Sequence, residues 1–370
     1  MAEWESTLES MEVKIDKNFW TGKRVFLTGH TGFKGSWLSL WLSSMGADVK
    51  GYSLEPPTLP SLFIEAKVSE KIHSEIGDIR NLSQLKKSVT SFNPDILFHM
   101  AAQPLVRYSY DNPIETYEVN VIGTAKVLEA SRSCQNLKAI INITTDKCYE
   151  NKNYDKAYKE DDPMGGHDPY SSSKGCSELL TASYRRSFFE SKGVGLASVR
   201  AGNVIGGGDW AKDRLIPDIL KSFQAGKKVI IRNPLATRPW QHVLEPLSGY
   251  LILAQKLFDS PINFSQGWNF GPKEKDVKPV NWIVDKMSSN WSQSAWELEK
   301  DAQPHEADFL KLDINKAQLS LNWNPTWSLE TTLEKIIIWH KAWINKENMQ
   351  KISIDEINKY MDEMDCENYY

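Results

Sequence analysis

Residues 24–35 read Arg24-Val-Phe-Leu-Thr28-Gly29-His30-Thr-Gly32-Phe33-Lys34-Gly35, an apolar run followed by a turn with three glycines. The apolar run predicts a short buried strand, and the Leu- and Trp-rich segment after the turn predicts a helix over Gly32–Met45. Glycines let the backbone approach a pyrophosphate closely, and the first N–H groups of the helix can bind it. This stretch therefore predicts the start of a dinucleotide-binding α/β domain.

Strands and helices alternate along the rest of the first half of the chain. Strands are predicted over Asp48–Ser53, Asp95–Met100, Lys138–Thr144 and Gly195–Arg200, and helices over Asn81–Phe92, Pro113–Cys134 and Pro169–Lys192. Such alternation predicts a Rossmann-type, doubly wound parallel sheet in an α/β protein.

After Arg200 the alternation of strands and helices ends, and Gly, Pro and Trp become frequent. This change predicts a smaller, mixed α/β lobe at the C-terminal edge of the sheet. We divide the chain into an N-terminal arm (1–17), a dinucleotide-binding domain (18–200, rejoined by a helix at 244–260), the lobe (201–243 and 261–345) and a polar tail (346–370). A helix near Leu329–Asn345 is predicted to end the lobe.

Composition excludes several classes of protein. The net charge of −4 gives the chain no overall field for nucleic acid. No apolar run approaches the ~20 residues of a membrane span, and the N-terminus lacks the features of a signal peptide. The four cysteines are scattered without a Cys-x-x-Cys pair, which argues against a metal site or a disulfide framework. We expect a cytoplasmic protein with no metal, membrane or nucleic-acid partner.

Reactive side chains follow the strand predicted before residue 145. Thr145, Asp146 and Lys147 come directly after an apolar run, where open α/β sheets place their ligands. Tyr170 and Lys174 open the next helix one turn apart, on the same face. A nearby ammonium lowers the pKa of a phenol from ~10, so Tyr170 is predicted to take a proton from a sugar hydroxyl while hydride leaves the same carbon.

Asp146 and Lys147 exceed what a plain dehydrogenase needs, which is one acid–base group and a positioning hydroxyl. A second acid and a second base are what a β-elimination requires: one removes a proton beside a ketone, and the other protonates the departing hydroxyl. The alternative is a structural ion pair at the end of a strand. We therefore predict oxidation coupled to loss of water.

The positions that would select the cofactor are less informative. The acid that binds the ribose of NAD is missing from Gly51-Tyr-Ser-Leu54, and Glu55 comes late, so NAD and NADP are not distinguished there. Asp78, followed by Ile79, is either an adenine contact, or a loop acid or helix cap.

These residues resemble the extended short-chain dehydrogenase/reductase family over roughly residues 20–345. The resemblance also rests on three further motifs: His99-Met-Ala101-Ala102-Gln103, Asn120-Val-Ile-Gly-Thr124 and Arg200-Ala-Gly-Asn203-Val204. Within the family, Thr-Asp followed by a base resembles the nucleotide-sugar 4,6-dehydratases, and a lysine rather than a glutamate at 147 resembles the branch that acts on CDP-sugars. Similar to that branch are also His30, Lys34, Leu54-Glu-Pro-Pro57, Gly207-Gly-Asp-Trp210, Asp213-Arg-Leu-Ile-Pro217, Arg232-Asn-Pro234 and Arg238-Pro-Trp-Gln-His242.

The resemblance implies that bound NAD serves the conversion of CDP-glucose to a 4-keto-6-deoxy sugar nucleotide. The catalytic residues it implies are Thr145, Asp146, Lys147, Tyr170 and Lys174. The implied cofactor-binding residues are Gly29, His30, Gly32, Phe33, Lys34, Gly35, Asp78, Ile79, Ala101, Ala102, Gln103, Asn120, Tyr170 and Lys174. The implied substrate-binding residues are Gln103, Ser109, Asn203, Arg214, Arg232 and Arg238, because the fork of an arginine binds phosphate bidentately.

Two details of this assignment stay open. A lysine with an ordinary pKa of ~10.4 is protonated at neutral pH, so Lys147 is either a base whose pKa is lowered or an electrostatic stabiliser of the enolate. His30 and Lys34 add bulk and charge beside the pyrophosphate, which predicts looser retention of NAD.

The alternatives are another nucleotide-sugar 4,6-dehydratase, a nucleotide-sugar epimerase or decarboxylase, or a catalytically silent NAD-binding scaffold. The resemblance further implies a homodimer or homotetramer, in which the helices near 113–134 and 170–192 pair across a two-fold axis. It also implies a role in deoxysugar synthesis for a bacterial surface polysaccharide such as O-antigen.

Overall fold

The computed structural model describes residues 15–152, 156–291, 296–299 and 310–367. Its strands are β1 (Arg24–Thr28), β2 (Asp48–Ser53), β3 (His73–Ile76), β4 (Ile96–His99), β5 (Ala139–Ile143), β6 (Ala157–Tyr158), β7 (Gly195–Ala201), β8 (Val204–Ile205), β9 (Val229–Ile231), β10 (Thr237–Pro239), β11 (Gln241–His242), β12 (Gly267–Phe270), β13 (Val277–Pro279), β14 (Trp296–Leu298) and β15 (Lys311–Leu312).

The α-helices are α1 (Lys17–Trp20), α2 (Phe33–Ser44), α3 (Leu62–Glu65), α4 (Leu82–Phe92), α5 (Val106–Asp111), α6 (Pro113–Tyr117), α7 (Thr124–Ser131), α8 (Pro169–Tyr184), α9 (Leu215–Gln224), α10 (Leu244–Asp259), α11 (Pro261–Phe264), α12 (Val280–Trp291), α13 (Asn315–Leu321), α14 (Leu329–Ile344) and α15 (Met349–Glu367). The predicted N-terminal arm lies, through residue 14, outside the described residues, and α1 begins at its last position. None of the helices in the described ranges has the length and apolarity to cross a membrane.

The main sheet has seven parallel strands in the order β12-β7-β5-β4-β1-β2-β3 within the described chain. The direction of strand addition reverses between β1 and β4, which opens a crevice at the carboxyl ends of those two strands. This topology confirms the predicted doubly wound, Rossmann-type sheet. The glycine turn after β1 therefore lies at the position where such folds bind dinucleotides.

The inner strands are buried along their whole length, as expected for parallel strands covered on both faces. One apolar layer joins the sheet to α2, α10, α14 and α15, and the other joins it to α4, α7 and α8. The first layer includes completely or almost completely buried tryptophans at positions 20, 37, 41, 268, 323 and 339. Many of the tryptophans therefore fill the core beside the sheet.

The seventh strand, β12, corrects the predicted boundary of the lobe. The sequence predicts that 261–345 belongs to the lobe, but Gly267–Phe270 pairs with β7 and extends the main sheet. The four-residue segment Gly-Trp-Asn-Phe has no long apolar run to mark it as a strand. Its pairing is decided by Trp268 and Phe270, which are buried in the large apolar layer.

The predicted polar tail is also corrected, because residues Met349–Glu367 form α15. Ile357, Tyr360, Met361 and Met364 recur at helical spacing and are buried against the core. The many charged residues between them mask this spacing in the sequence. The segment is therefore an integral helix that packs on α2 and α14.

The long helices predicted over Pro113–Cys134 and Pro169–Lys192 are interrupted rather than continuous. Between α6 and α7 the chain forms a π-helical turn, Glu118–Gly123, and α8 continues into a second one, Arg185–Phe189. Strand β3, which follows β2 in the sheet, has no counterpart in the predictions, because His-Ser-Glu-Ile is short and polar.

The docking of α15 gives a stability prediction. The Tyr360 hydroxyl donates to the buried carboxylate of Glu245 at 2.8 Å, and that carboxylate also accepts from the backbone N–H groups of Thr326 and Trp327. We expect Tyr360→Phe to lower the free energy of unfolding by about 1–2 kcal/mol, because a buried carboxylate loses a donor.

Urea unfolding would measure this loss. Leu319→Ala, on the exposed side of α13, is the control and should change stability by less than about 0.5 kcal/mol. Equal stability of Tyr360→Phe and the unaltered protein would show that α15 is not held by this bond.

Candidate active site at the carboxyl edge of the sheet

The glycine turn forms a cradle that admits no side chain at two of its positions. Gly29 has a φ of +80°, and a Cβ there would lie 2.7 Å from the backbone nitrogen of Ala101. A Cβ at Gly35 would lie 2.1 Å from the carbonyl oxygen of Gly29. Helix α2 begins at Phe33, directly after Gly32, so its free N–H groups face the cradle. These features fit a dinucleotide pyrophosphate.

His30 does not crowd that cradle. Its ring is completely buried over Gly51, packs edge-on against Phe63 at 5.4 Å and contacts the Ser74 hydroxyl through Nε2 at 2.7 Å. Burial lowers the pKa of His30 to about 4, so the ring is neutral. The prediction that His30 adds charge beside the pyrophosphate is therefore wrong, because the ring fills the space between β2, β3 and α3.

Lys34, by contrast, belongs to the reacting end of the site. Its pKa is lowered to about 7, chiefly by burial and then by the positive charges of Lys174 and Arg214, while Asp146 opposes the shift. These interactions place its ammonium near the predicted catalytic groups. The sequence identifies Lys34 only as part of the glycine turn, and the sheet topology brings it to the edge that carries the predicted catalytic groups.

Asp78, the candidate adenine contact, is engaged in a local ion pair. Its carboxylate accepts from the backbone N–H of Arg80 at 2.8 Å and from the guanidinium of the same residue at 2.7–3.1 Å. Burial raises the pKa of Asp78, but the bonds from Arg80 outweigh it and hold that pKa below its usual range. Ile79 is buried against Gly123. Asp78 is therefore engaged as a loop acid, and the cap of the following helix α4 is Asn81.

The motif after β4 is fixed by side-chain to backbone bonds. Asn120 accepts from the N–H of Gln103 at 2.9 Å, and donates to its carbonyl at 3.0 Å and to the Ser173 hydroxyl at 2.9 Å. The Gln103 amide donates to Thr116 at 2.8 Å. Ala101 and Ala102, which follow β4, are half-buried, and Ala101 borders Gly29. This network links the cofactor crevice to α8.

The acid of the candidate site is buried at the end of β5. Asp146 is completely buried, and its Oδ1 accepts from the Thr145 hydroxyl at 3.0 Å. Lys147, about a third exposed, holds its ammonium 3.8 Å from the same oxygen. The other oxygen, Oδ2, packs against Gly202, where a Cβ would lie only 2.0 Å away. The short 3₁₀ turn Asp146–Cys148 therefore brings an acid and an amine together.

Tyr170 and Lys174 are buried on α8 beside this turn. Burial raises the pKa of Tyr170 to about 12, although a hydrogen bond with Thr145 and the charge of Arg214 oppose it. The prediction that Lys174 lowers this pKa below its ordinary value is wrong for the chain alone. The Lys174 ammonium donates to the Ile143 carbonyl at 3.1 Å, and burial lowers its own pKa to about 8.

A buried ion pair anchors α8 one turn beyond Lys174. Glu178 accepts from Arg200 at the end of β7 through two bonds of 2.9 Å, and also from Thr144 and Ser198. Arg200 further donates to the Tyr149 hydroxyl at 2.6 Å. No sequence motif marks Glu178, although its position four residues after Lys174 puts it on the same helix face.

The three arginines of the predicted substrate site lie on different elements of the second lobe. Arg214 donates to Asp209 at 2.9 Å, and Arg232 donates to Asp213 at 2.6 Å. Arg238, on β10, is buried and donates to the Thr237 carbonyl. Arg107, which no sequence motif marks, approaches Asp213 at 3.6 Å from α5 in the first domain.

Two other predicted substrate residues differ in placement. Ser109 is completely buried, donates to the Val106 carbonyl at 2.6 Å and accepts from the Tyr170 N–H at 3.1 Å. It therefore holds the start of α8, and its prediction as a sugar contact is not supported by this geometry. Asn203 has a φ of +32° and a buried amide oxygen without a protein partner among the described residues, which suits a ligand contact.

The arrangement as a whole suits proton transfer on an anionic substrate. A phenol, a carboxylate and three amines meet at one sheet edge, and arginines follow on the lobe. Positive charge there attracts phosphate groups. Burial keeps water away and strengthens each interaction among the charges.

Comparison with known proteins gives consistent results. The chain matches the family model described as GDP-mannose 4,6 dehydratase over residues 26–336. It is 59% identical over 353 residues to CDP-glucose 4,6-dehydratase from Salmonella typhimurium, with 94% of this chain and 98% of that protein covered.

Two solved structures are similar in fold. One is UDP-glucose 4-epimerase from Thermotoga maritima, solved with UDP-glucose, with a TM-score of 0.77, 20% identity and coverage of 87% of this chain and 99% of that one. The other is dTDP-glucose 4,6-dehydratase from Streptomyces venezuelae, solved with NAD and TYD bound, with a TM-score of 0.76, 19% identity and coverage of 88% and 99%.

The position of Lys34 predicts a pH-dependent preference between the oxidised and reduced cofactor. Both forms have the same pyrophosphate, but only the oxidised nicotinamide is cationic, so a charged Lys34 should disfavour NAD relative to NADH. Because the pKa of Lys34 is about 7, its charge is lost as the pH rises through that value. We expect the ratio of the NAD and NADH dissociation constants to fall by about tenfold between about pH 6 and about pH 8.

Calorimetric titration of both cofactors would measure the ratio. In Lys34→Met it should be low at every pH, and in Lys34→Arg it should stay high, because arginine keeps its charge. A ratio that is the same in all three proteins would show that Lys34 does not face the nicotinamide.

Proposed function

The chain belongs to the GDP-mannose 4,6 dehydratase family, and on that premise we propose that it converts CDP-glucose to CDP-4-keto-6-deoxyglucose and water, with NAD as its cofactor. The single observation behind this proposal is that Thr145, Asp146, Lys147 and Tyr170 lie together at one sheet edge. Oxidation alone would need only the Thr145 hydroxyl and the Tyr170 phenol, so the acid and the amine point to the elimination.

NAD fits the residues of the first domain. The cradle excludes a Cβ at Gly29 and Gly35, and the start of α2 supplies N–H groups for the pyrophosphate. When bound, NAD supplies the group that accepts hydrogen from carbon 4, later returns it to carbon 6, and adds positive charge beside Tyr170. Lys174 and Asn120 would hold it on the α8 side.

The chain's own residues move the protons. Tyr170, positioned by Thr145, takes the proton of the hydroxyl on carbon 4 as that carbon becomes a ketone. The ketone acidifies the proton on carbon 5, and Lys147 takes it. Asp146, protonated before this step, gives its proton to the hydroxyl on carbon 6, which leaves as water. The proton that Tyr170 took equals the one that Asp146 lost, so its return to Asp146 through solvent restores both groups. Lys147 then returns a proton to carbon 5, which completes the 6-deoxy product.

Lys147 acts on carbon 5 because it is the amine in contact with Asp146, at 3.8 Å. As a base it must be neutral before the elimination. The alternative is that a protonated Lys147 stabilises the enolate and another group takes the proton. Either role requires an amine at this position.

The nucleotide diphosphate would bind to the arginines of the lobe. Arg214, Arg232 and Arg238 provide guanidinium groups, and Arg214 is close enough to Tyr170 to affect its pKa. In the described chain Asp209 and Asp213 neutralise two of these arginines. A diphosphate would replace those carboxylates as the partner of the guanidinium groups.

The cysteines are consistent with action in the cytoplasm. All four, Cys134, Cys148, Cys176 and Cys366, are free thiols, as is usual in a reducing compartment. We propose that the product serves deoxysugar synthesis in that compartment.

The function is tested by incubating the protein with NAD and CDP-glucose and measuring the alkali-induced ultraviolet absorbance of the 4-keto sugar. We expect product from CDP-glucose and much less from dTDP-glucose or GDP-mannose. Asp146→Asn should lower the rate by at least about 100-fold, because it removes the acid of the elimination.

Asp355→Asn, on the exposed side of α15, is the matched control and should be fully active. Formation of a 4-epimer without loss of water would favour the epimerase alternative. Absence of any product with every nucleotide sugar tested would favour the alternative of a catalytically silent NAD-binding scaffold.

We also propose that two copies of the chain pair through an apolar helical face. This face consists of Ile114 on α6, Ile122 on the π-helical turn and Leu179 on α8, which are 71%, 49% and 63% exposed. Exposed apolar side chains on adjacent helices are typical of a contact between protein chains. A second copy fits because the same helices can pair about a two-fold axis, giving a dimer or a dimer of dimers.

Analytical ultracentrifugation tests this pairing. We expect Leu179→Glu to shift the protein toward a monomer, because it places a charge within the apolar helical face. Leu319→Glu, at an 87% exposed position on α13, is the matched control and should leave the mass unchanged. An unaltered protein that sediments as a monomer would contradict the proposal.

A further inference from the structure

The two oxygens of the Asp146 carboxylate have different surroundings. Oδ1 lies on the side of Thr145 and Lys147, which is the side of the reacting groups. Oδ2 lies against the backbone of Gly202 and has no hydrogen-bond partner in the described part of the chain. A buried carboxylate oxygen without a donor is costly, so a group that supplies a donor is expected nearby.

Gln241 brings an acceptor to the same region. Its amide nitrogen donates to the Gly202 carbonyl at 3.1 Å and to the Phe270 carbonyl at 3.0 Å, across the ends of β7 and β12. Its Oε1 is buried and lacks a partner within the described residues. The two bonds fix the orientation of the amide, because the nitrogen must face the two carbonyl groups.

Tyr250 contributes a hydroxyl from α10, which covers one face of the sheet. It is completely buried on α10, and its ring packs edge-on against Phe270 at 5.5 Å. Its hydroxyl also lacks a partner among the residues described. Burial raises the pKa of Tyr250 above its usual value, and the charge of Asp146 raises it further, so the hydroxyl lies within the electrostatic reach of that carboxylate.

These three atoms match the hydrogen-bonding capacity of a single water molecule. Such a water would accept a bond from the Tyr250 hydroxyl and donate one bond to Gln241 Oε1 and one to Asp146 Oδ2. Buried waters typically make about three hydrogen bonds to groups that lack other partners. Each of the three unpartnered atoms would then be satisfied.

We propose that Tyr250 and Gln241 are positioning residues for the elimination step and act on Asp146 through one shared buried water. This inference rests on the proposed function. When the carbon 5 proton leaves, its bonding electrons form the double bond to carbon 6, the bond from carbon 6 to oxygen breaks, and Asp146 gives its proton to the departing hydroxyl. Asp146 ends this step as a carboxylate, and the water donates a hydrogen bond to it.

The effect of this donor is confined to one step. Oxidation at carbon 4 uses Tyr170 and leaves the protonation of Asp146 unchanged, so it gains nothing from the water. Elimination creates the negative charge on Asp146, so only that step is slowed when the donor is lost. A general loss of structure would slow both steps.

The test uses Tyr250→Phe and two probes. CDP-glucose can undergo every step, whereas CDP-6-deoxyglucose can be oxidised at carbon 4 but has no hydroxyl to lose from carbon 6. We expect oxidation of CDP-6-deoxyglucose, followed by the absorbance of reduced nicotinamide, to be unchanged. With CDP-glucose we expect turnover to fall about tenfold and reduced nicotinamide to accumulate, because elimination becomes slower than oxidation.

Tyr360→Phe is the matched control, because it also removes a buried hydroxyl from the same apolar layer. It should lower thermal stability without accumulation of reduced nicotinamide. Gln241→Met, which removes the acceptor, should repeat the accumulation seen with Tyr250→Phe. Failure of the unaltered protein to turn over CDP-glucose would refute the proposed function itself. Normal turnover by Tyr250→Phe, or equal slowing of both steps, would overturn only the water-mediated role.

Discussion

The buried ion pair between Glu178 and Arg200 is the interaction on which the catalytic edge depends. Both side chains are about 95% buried, and two bonds of 2.9 Å join them. Removing one partner of such a pair costs about 3–5 kcal/mol, because the other charge stays buried and uncompensated. The pair therefore fixes the position of α8 against β7. Tyr170 and Lys174, on the same helix, are placed against the end of β5 as a consequence.

The same ion pair is linked by hydrogen bonds to β12, an edge strand of the main sheet. Arg200 donates to Tyr149 on the loop after β5, and the Tyr149 hydroxyl donates to Asn269 on β12 at 2.7 Å. The Asn269 amide donates in turn to backbone carbonyls of Tyr158 and Asp313. One network thus connects the loop after β5, helix α8, strand β12 and the segment of the lobe at Asp313, so these parts keep a fixed geometry relative to one another.

Burial, rather than any single neighbour, sets the charge states at the edge. It lowers the pKa of Lys34 to about 7 and of Lys174 to about 8, and raises the pKa of Tyr170 to about 12. The chain alone therefore keeps the phenol protonated and makes the amines easier to neutralise. In the proposed mechanism, Tyr170 becomes a base only when positive charge is added beside it. This couples the first proton transfer to occupancy of the crevice.

The sequence by itself determined the class of fold and the chemistry of the edge. The glycine turn, the alternation of strands and helices, and the order Thr145-Asp146-Lys147 depend on local spacing, so they could be read without coordinates. Tertiary structure decided what depends on contacts between distant segments. It buried His30 in the core and brought Lys34 near the predicted catalytic groups. It made β12 a strand of the main sheet and α15 a helix. It also placed Gln241 and Tyr250 in the region of Asp146. No local pattern encodes these outcomes, because each arises from packing between residues far apart along the chain.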